Sequence, residues 1–195
     1  MTRIKLCGLS RTEDVRAANS LMPEYIGFVF WERSRRYVKP EKAENLRKVL
    51  AATISAVGVF VDEKPENISA LANSGVIDIV QLHGQESEEY IASLRKLIHA
   101  PIIKAFKFTE VRSTSADYVM IDSGMGTGKT FNWSGIEIER PYFLAGGLNP
   151  DNVRTAIRTL HPFAVDVSSG IESGGMKDRV KMAEFVEAVR EEDKA

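Results

Sequence analysis

Short apolar, β-branched runs recur along this chain, with charged, helix-like segments between them. The runs are IKLC near residue 4, YIGFVF near 27, ISAVGVF near 57, DIVQLH near 80, PIIKAF near 103, YVMID near 120, YFLAGG near 143 and FAVDVSS near 165. Each has the length of a buried strand. The intervening RTEDVRAANSL, PEKAENLRKVLAA, PENISALANSG, ESEEYIASLRKLIHA and NPDNVRTAIRTLH carry apolar residues at helical spacing. In the fourth of these, Tyr90, Leu94 and Leu97 fall on one face. Pro40, Pro65 and Pro150 stand at or near helix starts, where the missing N–H is not needed, and Asn149 is placed to cap the helix that follows it.

Strands alternating with helices at intervals of about 23 residues predict parallel strands joined by crossover helices. Eight of them predict an α/β fold, a closed (β/α)8 TIM barrel formed as a single domain by residues 1–195. An open doubly wound sheet is the alternative, and against it no strand is followed by G-x-G-x-x-G. The fifth unit, KFTEVRSTSAD, is too short and polar for a full helix, and the sixth is also weak, so short or missing helices are expected in both. The C-terminal REEDKA reads as a fraying helix end.

Composition narrows the function classes. At 195 residues and 44% hydrophobic, the chain can bury one substantial core. Twenty-six basic against 27 acidic side chains give a net charge of -1, which argues against nucleic acid as a partner and leaves any anionic ligand to local groups. No run reaches the roughly 18 apolar residues of a membrane span, and MTRIKLCGLSRTEDVRAANS fits neither a secretory signal nor a transit peptide. With one cysteine there is no internal disulfide framework, so a cytoplasmic chain is expected, as monomer or homodimer.

That single cysteine, Cys7, is either core filler or a reactive thiol, and its position bears on the choice. Barrel chemistry sits at the C-terminal strand ends, and side chains alternate along a strand. If Ile4 and Leu6 face the helices, Lys5 and Cys7 face the barrel interior; likewise Val119 and Ile121 face out, and Met120 and Asp122 in. A thiol and a carboxyl at one rim can divide proton transfers, as an isomerase that moves a proton within one substrate requires; an Asx turn is the structural reading of Asp122. The thiol must ionise from about pKa 8.5, which a cation assists. Lys5 is one candidate, but Asp166, inward on the neighbouring eighth strand, can instead take Lys5 as a structural partner; Asp166 is also counted among the substrate-binding residues.

Other loops supply binding groups. In DSGMGTGKTFNW, Gly124 to Lys129 is one residue short of a P-loop, and a loop closing over substrate fits better. Phosphate is expected after the seventh and eighth strands, on the N–H groups of Gly146, Gly147, Ser169 and Gly170. Within ERSRRYVKP, Arg36 is the candidate for a bidentate grip on a carboxylate, whereas Arg33 and Arg35 read as solvated. His83 in VQLHG points into the mouth to position substrate or hold the loop. Without a second clustered His or a nearby Cys it is not expected to bind metal, and no cofactor is predicted.

In order and spacing, KLCG, GFVFWERSRRYV, VGVFV, VQLHG, IKAF, DSGMGTGKTFNW, LAGGLNPDNV and AVDVSSGIE resemble the phosphoribosylanthranilate isomerase family of tryptophan biosynthesis over nearly the whole chain. The resemblance implies a cofactor-free Amadori rearrangement of N-(5-phosphoribosyl)anthranilate to 1-(2-carboxyphenylamino)-1-deoxyribulose 5-phosphate. It implies Asp122 as the acid that opens the furanose, Cys7 as the base that removes the C2 proton, Arg36 on the anthranilate carboxylate, and phosphate on the loops after strands seven and eight. The chain departs at Asn132 and Gln85, where the family commonly has acids; neither touches the proposed acid or base, and Asn132 bears on loop closure and affinity. The related isomerase of histidine biosynthesis typically has Asp where Cys7 stands and needs a second phosphate loop, for which the first half offers no match. A non-catalytic phosphate-binding barrel is the remaining alternative.

Overall fold

The computed structural model describes residues 1–122 and 140–194. The glycine-rich segment after the sixth strand lies outside them, and with it the expectations of a closing loop, of Asn132 and of the sixth unit's helix. The chain runs β1 (Arg3–Cys7), α1 (Thr12–Leu21), β2 (Tyr25–Val29), α2 (Pro40–Val49), β3 (Ser55–Phe60), α3 (Pro65–Asn73), β4 (Ile79–Leu82), α4 (Glu88–Leu94), β5 (Ile102–Lys107), β6 (Tyr118–Asp122), β7 (Tyr142–Ala145), α5 (Val153–Leu160), β8 (Ala164–Val167), β9 (Glu172–Ser173), β10 (Met176–Lys177) and α6 (Arg179–Glu192). Strands β1 to β8 pair in parallel with their sequence neighbours, and β8 closes on β1 with Asp166 opposite Lys5. The TIM barrel expected from the eight runs is the fold observed. Beside it, β9 and β10 make a small antiparallel ribbon.

The two-residue period of the strands sorts the core into two layers. Ile4, Leu6, Ile26, Phe28, Val80, Leu82 and Val165 face outward and pack on Val15, Leu46, Ile68, Ile91 and Phe185 of the helices. Val57, Ile79, Ile103, Met120, Phe143 and Ala164 fill the barrel interior. Above them sit Cys7, Val29 and Val59. Below, Tyr25, Tyr118 and Phe163 pack on Phe143.

Helix signals are met in part. Pro40 and Pro65 open α2 and α3, but α5 starts only at Val153. Asn149 acts ahead of it: its side-chain oxygen accepts the N–H groups of Asp151 and Asn152 at 2.9 and 3.1 Å, holding the turn that contains Pro150. Helix α4 ends at Leu94, and Leu97 is exposed; Ile91, Leu94 and Ile98 form the buried stripe instead. The fifth unit holds a three-residue 3-10 turn, Phe108–Glu110, in place of a helix. The C-terminus is tied rather than frayed through Asp193, whose carboxylate accepts the Thr2 N–H at 2.8 Å, while Arg190 donates to the Thr2 carbonyl at 3.1 Å.

Candidate active site

At the C-terminal ends of the strands, a cavity of about 300 Å3 is lined by Cys7, Arg36, His83, Asp122, Gly146, Gly147, Asp166 and Ser169, together with Gln81 and Ser168. Eight of the nine sequence-predicted site residues therefore meet in one place. Gly170 does not line the cavity: a Cβ there would overlap the Leu148 carbonyl oxygen, so its bare Cα lets the loop after β8 close onto the loop after β7. Gly146 and Gly147 both adopt positive φ, 92° and 68°, the turn geometry that glycine tolerates.

Cys7 ends β1 and is buried. Its carbonyl accepts the Ser168 hydroxyl at 3.1 Å, which joins the first and last strand ends. Burial pushes the thiol pKa up; the charge of Lys5 opposes that rise and only partly offsets it. Lys5 itself is fully buried and donates to Asp166 at 2.7 Å, so the ion pair anticipated from the strand register is present. Burial works against the Lys5 charge, yet Asp166, and then Cys7, outweigh it and hold the lysine pKa above its ordinary value.

Across the mouth, His83 Nε2 lies 3.3 Å from Asp122 Oδ2. The Gln81 side-chain amide nitrogen lies 2.9 Å from His83 Nδ1. The imidazole thus sits between Gln81 and Asp122 on the cavity lining. Gln85, two residues further on, is exposed and donates its N–H to Asp62 Oδ1 at 2.6 Å. The buried acid of this loop is Glu86, which accepts from Asp62 N and Gly84 N and pairs with Lys104 at 2.6 Å.

Arg36 reaches the cavity through an arrangement the sequence did not announce. Its Nε and Nη2 donate to Glu172 at 2.6 and 2.9 Å, a bidentate pair. Glu172 also receives Lys177 at 2.7 Å and Arg35 at 2.5 Å, so Arg35 is an ion-pair partner and not merely a solvated charge. Burial alone would raise the Glu172 pKa, but the hydrogen bonds from Arg36 and Lys177 prevail and hold it low. Gly8, with φ 77°, makes room for this arrangement, because a Cβ there would overlap Arg36 Cδ. A clue to Glu172 did lie in GIESGGMK: Gly174–Gly175 is a hairpin signal, and it sets Glu172 opposite Lys177 across the ribbon.

Among the described residues, no group of three or more His, Cys, Asp and Glu is placed to hold a metal ion, and no helix is long and apolar enough to cross a membrane. The arrangement can offer a proton acceptor and a proton donor on the lining of one cavity, glycine turns for an anion and a guanidinium for a second anion.

Comparison with known proteins agrees with that chemistry. Residues 4–188 match the family described as N-(5'phosphoribosyl)anthranilate (PRA) isomerase. A relative from Endomicrobium trichonymphae named N-(5'-phosphoribosyl)anthranilate isomerase is 42% identical over 199 residues, 97% of this chain and 99% of its own length. A solved phosphoribosyl anthranilate isomerase in complex with reduced 1-(o-carboxyphenylamino)-1-deoxyribulose 5-phosphate has a TM-score of 0.84 at 35% identity, covering 98% of this chain and 100% of its own. Monomers generated from the dimeric enzyme of Thermotoga maritima give 0.81 at 34% identity, covering 97% and 99%. With both the fold and the full-length sequence match in agreement, the chain belongs to the N-(5'-phosphoribosyl)anthranilate isomerase family.

Proposed function

We propose that this cavity performs the family's isomerisation with Asp122 as general acid and Cys7 as general base. The chain is an isomerase of tryptophan biosynthesis acting on N-(5'-phosphoribosyl)anthranilate. In this reading the substrate phosphate takes the N–H groups of the loops after β7 and β8, at Gly146, Gly147 and Ser169, with Gly170 letting the two loops close together. The anthranilate carboxylate takes Arg36 Nη1, which has no partner among the described residues while Nε and Nη2 are held by Glu172. Asp166 faces the sugar hydroxyls.

Asp122 gives its proton to the furanose ring oxygen; the C1–O bond breaks, and the nitrogen lone pair forms the C=N bond of a Schiff base. The Cys7 thiolate then removes the C2 proton, the C–H electron pair becomes the C1–C2 double bond, and the C=N pair returns to nitrogen. Transfer of the remaining hydroxyl proton from O2 to C1 gives the ketone. Hydrogen has moved from the sugar carbon C2 to C1 with no net oxidation. One proton has passed from Asp122 to product and one from substrate to Cys7, and exchange through solvent resets both. His83, 3.3 Å from one Asp122 oxygen, sits beside the acid at the cavity mouth.

The observation that carries the assignment is the placement of Cys7 and Asp122 on the lining of the same cavity as Arg36 and the glycine turns. We read residues 1–195 as one catalytic domain, cytoplasmic, working as a monomer or as a homodimer like the Thermotoga maritima relative. The test is a steady-state assay following loss of anthranilate fluorescence from freshly generated substrate, run on wild type and Cys7→Ala. Wild-type turnover that falls by about 10² to 10⁴ in the variant is expected, the usual worth of a general base; turnover retained in the variant removes Cys7 from the mechanism.

A further inference from the structure

Below the level of Cys7 the barrel interior is lined chiefly by apolar side chains, and Lys5 is a fully buried cation among them. Lys5 places an ammonium, fully excluded from solvent, where the surrounding positions carry Val57, Ile103, Phe143 and Ala164. Such a group is costly to desolvate and is held only with its partners in place. Asp166 is one partner, at 2.7 Å. The thiol is the second, for Lys5 Nζ and Cys7 Sγ converge beside the bare Cα of Gly27. Glycine at position 27 makes the space in which ammonium and thiol meet, because a Cβ there would lie 2.8 Å from Cys7 Sγ and 3.2 Å from Lys5 Nζ.

We propose that Lys5 is a positioning residue for the base: its ammonium, anchored by Asp166, is the counter-charge of the Cys7 thiolate. The proposal rests on the reading of Cys7 as the general base. The charged groups facing the thiol are Lys5 from β1, Asp166 from β8 and Lys177 from β10, while Arg36, His83 and Asp122 line the same cavity; β2 and β3 contribute only Gly27, Val29 and Val59. The three nearest charges pull in opposite senses. Burial makes the thiolate unfavourable, Lys5 offsets that, Asp166 opposes Lys5, and Lys177 assists it more weakly. Asp166 therefore has two effects: it keeps the lysine charged in the interior and limits how much of that charge the thiol feels.

The test uses the fact that Cys7 is the chain's single cysteine. Alkylation by iodoacetamide, followed by intact mass in substrate-free protein across pH, reports the ionisation of that one thiol. Lys5→Met is expected to move the alkylation midpoint to higher pH, with a rate at least ten-fold lower at neutral pH. Gly27→Ala, which changes no charge but forces Sγ and Nζ apart, is expected to move it up. A Lys5→Met midpoint equal to wild type overturns the proposal. If Lys5→Met does not fold, a Gly27→Ala midpoint equal to wild type overturns it. The two readings fail separately. A dead Cys7→Ala variant beside an unmoved Lys5→Met midpoint removes the role of Lys5 and keeps the base; an active Cys7→Ala variant beside the expected shifts removes the base and keeps the charge pairing.

Discussion

The two ends of the barrel are made from the same eight strands and the same pleat, yet they are finished in different materials. At the N-terminal end, Tyr25, Tyr118 and Phe163 surround Phe143 with ring centroids 5.4 to 5.8 Å apart in tilted, stacked and edge-on pairs, and the Arg3 guanidinium covers Phe163 at 4.1 Å. Here packing is the whole story, since aromatic rings bury large areas and add a modest geometric preference. At the C-terminal end, the same inward positions carry Lys5, Asp166, Cys7 and Gln81, and the loops bring in Glu172, Arg36 and Lys177. Buried charge stabilises a fold poorly, because desolvation consumes most of the attraction. The difference teaches that the lower end holds the barrel closed so that the upper end can carry groups that a core selected for stability alone would replace.

That division is tested most severely by one substitution at each end. Asp122→Asn keeps the size of the side chain and removes the acid; kcat should fall by about 10² to 10⁴, with the urea midpoint nearly unchanged. Phe143→Ala should do the reverse, costing about 3 to 5 kcal/mol of stability through lost contacts and the cavity left behind, while the molecules that remain folded keep most of their kcat. Urea unfolding and steady-state turnover on both variants give the comparison. An Asp122→Asn enzyme with near-normal kcat, or a Phe143→Ala enzyme that is stable but inactive, would break it.

A smaller effect separates two kinds of group within the upper end. Glu172 is not proposed to touch the reacting atoms; it fixes Arg36 through two hydrogen bonds and joins it to Lys177. Glu172→Gln should raise KM about ten-fold, close to the loss of one charge-assisted hydrogen bond, and leave kcat within a few-fold of wild type. A matched drop in kcat with KM unchanged would place Glu172 among the groups that act on the transition state.

The uneven legibility of this site in the sequence has a physical origin. Cys7, Asp122, Asp166 and the inward set of Met120 and Phe143 follow from a period of two and from the rule that chemistry gathers at strand C-termini. Even the Lys5–Asp166 contact follows once the barrel closes and strand eight lies beside strand one. Glu172 sits on a two-residue strand, too short to carry any period, and its partners lie 136 and 137 residues away in the chain. Gly27 and Gly170 are needed for the space that their missing Cβ leaves against Cys7 and against Leu148; such contacts exist only after folding. In VQLHGQE the buried acid is Glu86 and not the neighbouring position held by Gln85, a one-residue distinction set by the turn and not by any pattern.

The smallest expected effect concerns acid, and it distinguishes the two ends without any substrate. Burial by itself would raise the Glu172 carboxyl, but Arg36 and Lys177 overcome it and hold the folded value low. A carboxyl depressed on folding contributes stability that is fully present above its unfolded pKa, about 4.3. That contribution is lost as pH falls through the lower folded value, where the native state takes up the proton as well. Glu172→Gln cannot lose what it does not have. The stability gap between wild type and Glu172→Gln, read from urea midpoints, should therefore narrow between about pH 5 and about pH 3. The gap between wild type and Phe143→Leu, which changes shape and no charge, should stay constant over the same range. A Glu172 gap that stays equally flat would mean that Arg36 and Lys177 do not hold the carboxylate in the folded protein, and the upper end would then owe its order to packing, as the lower end does.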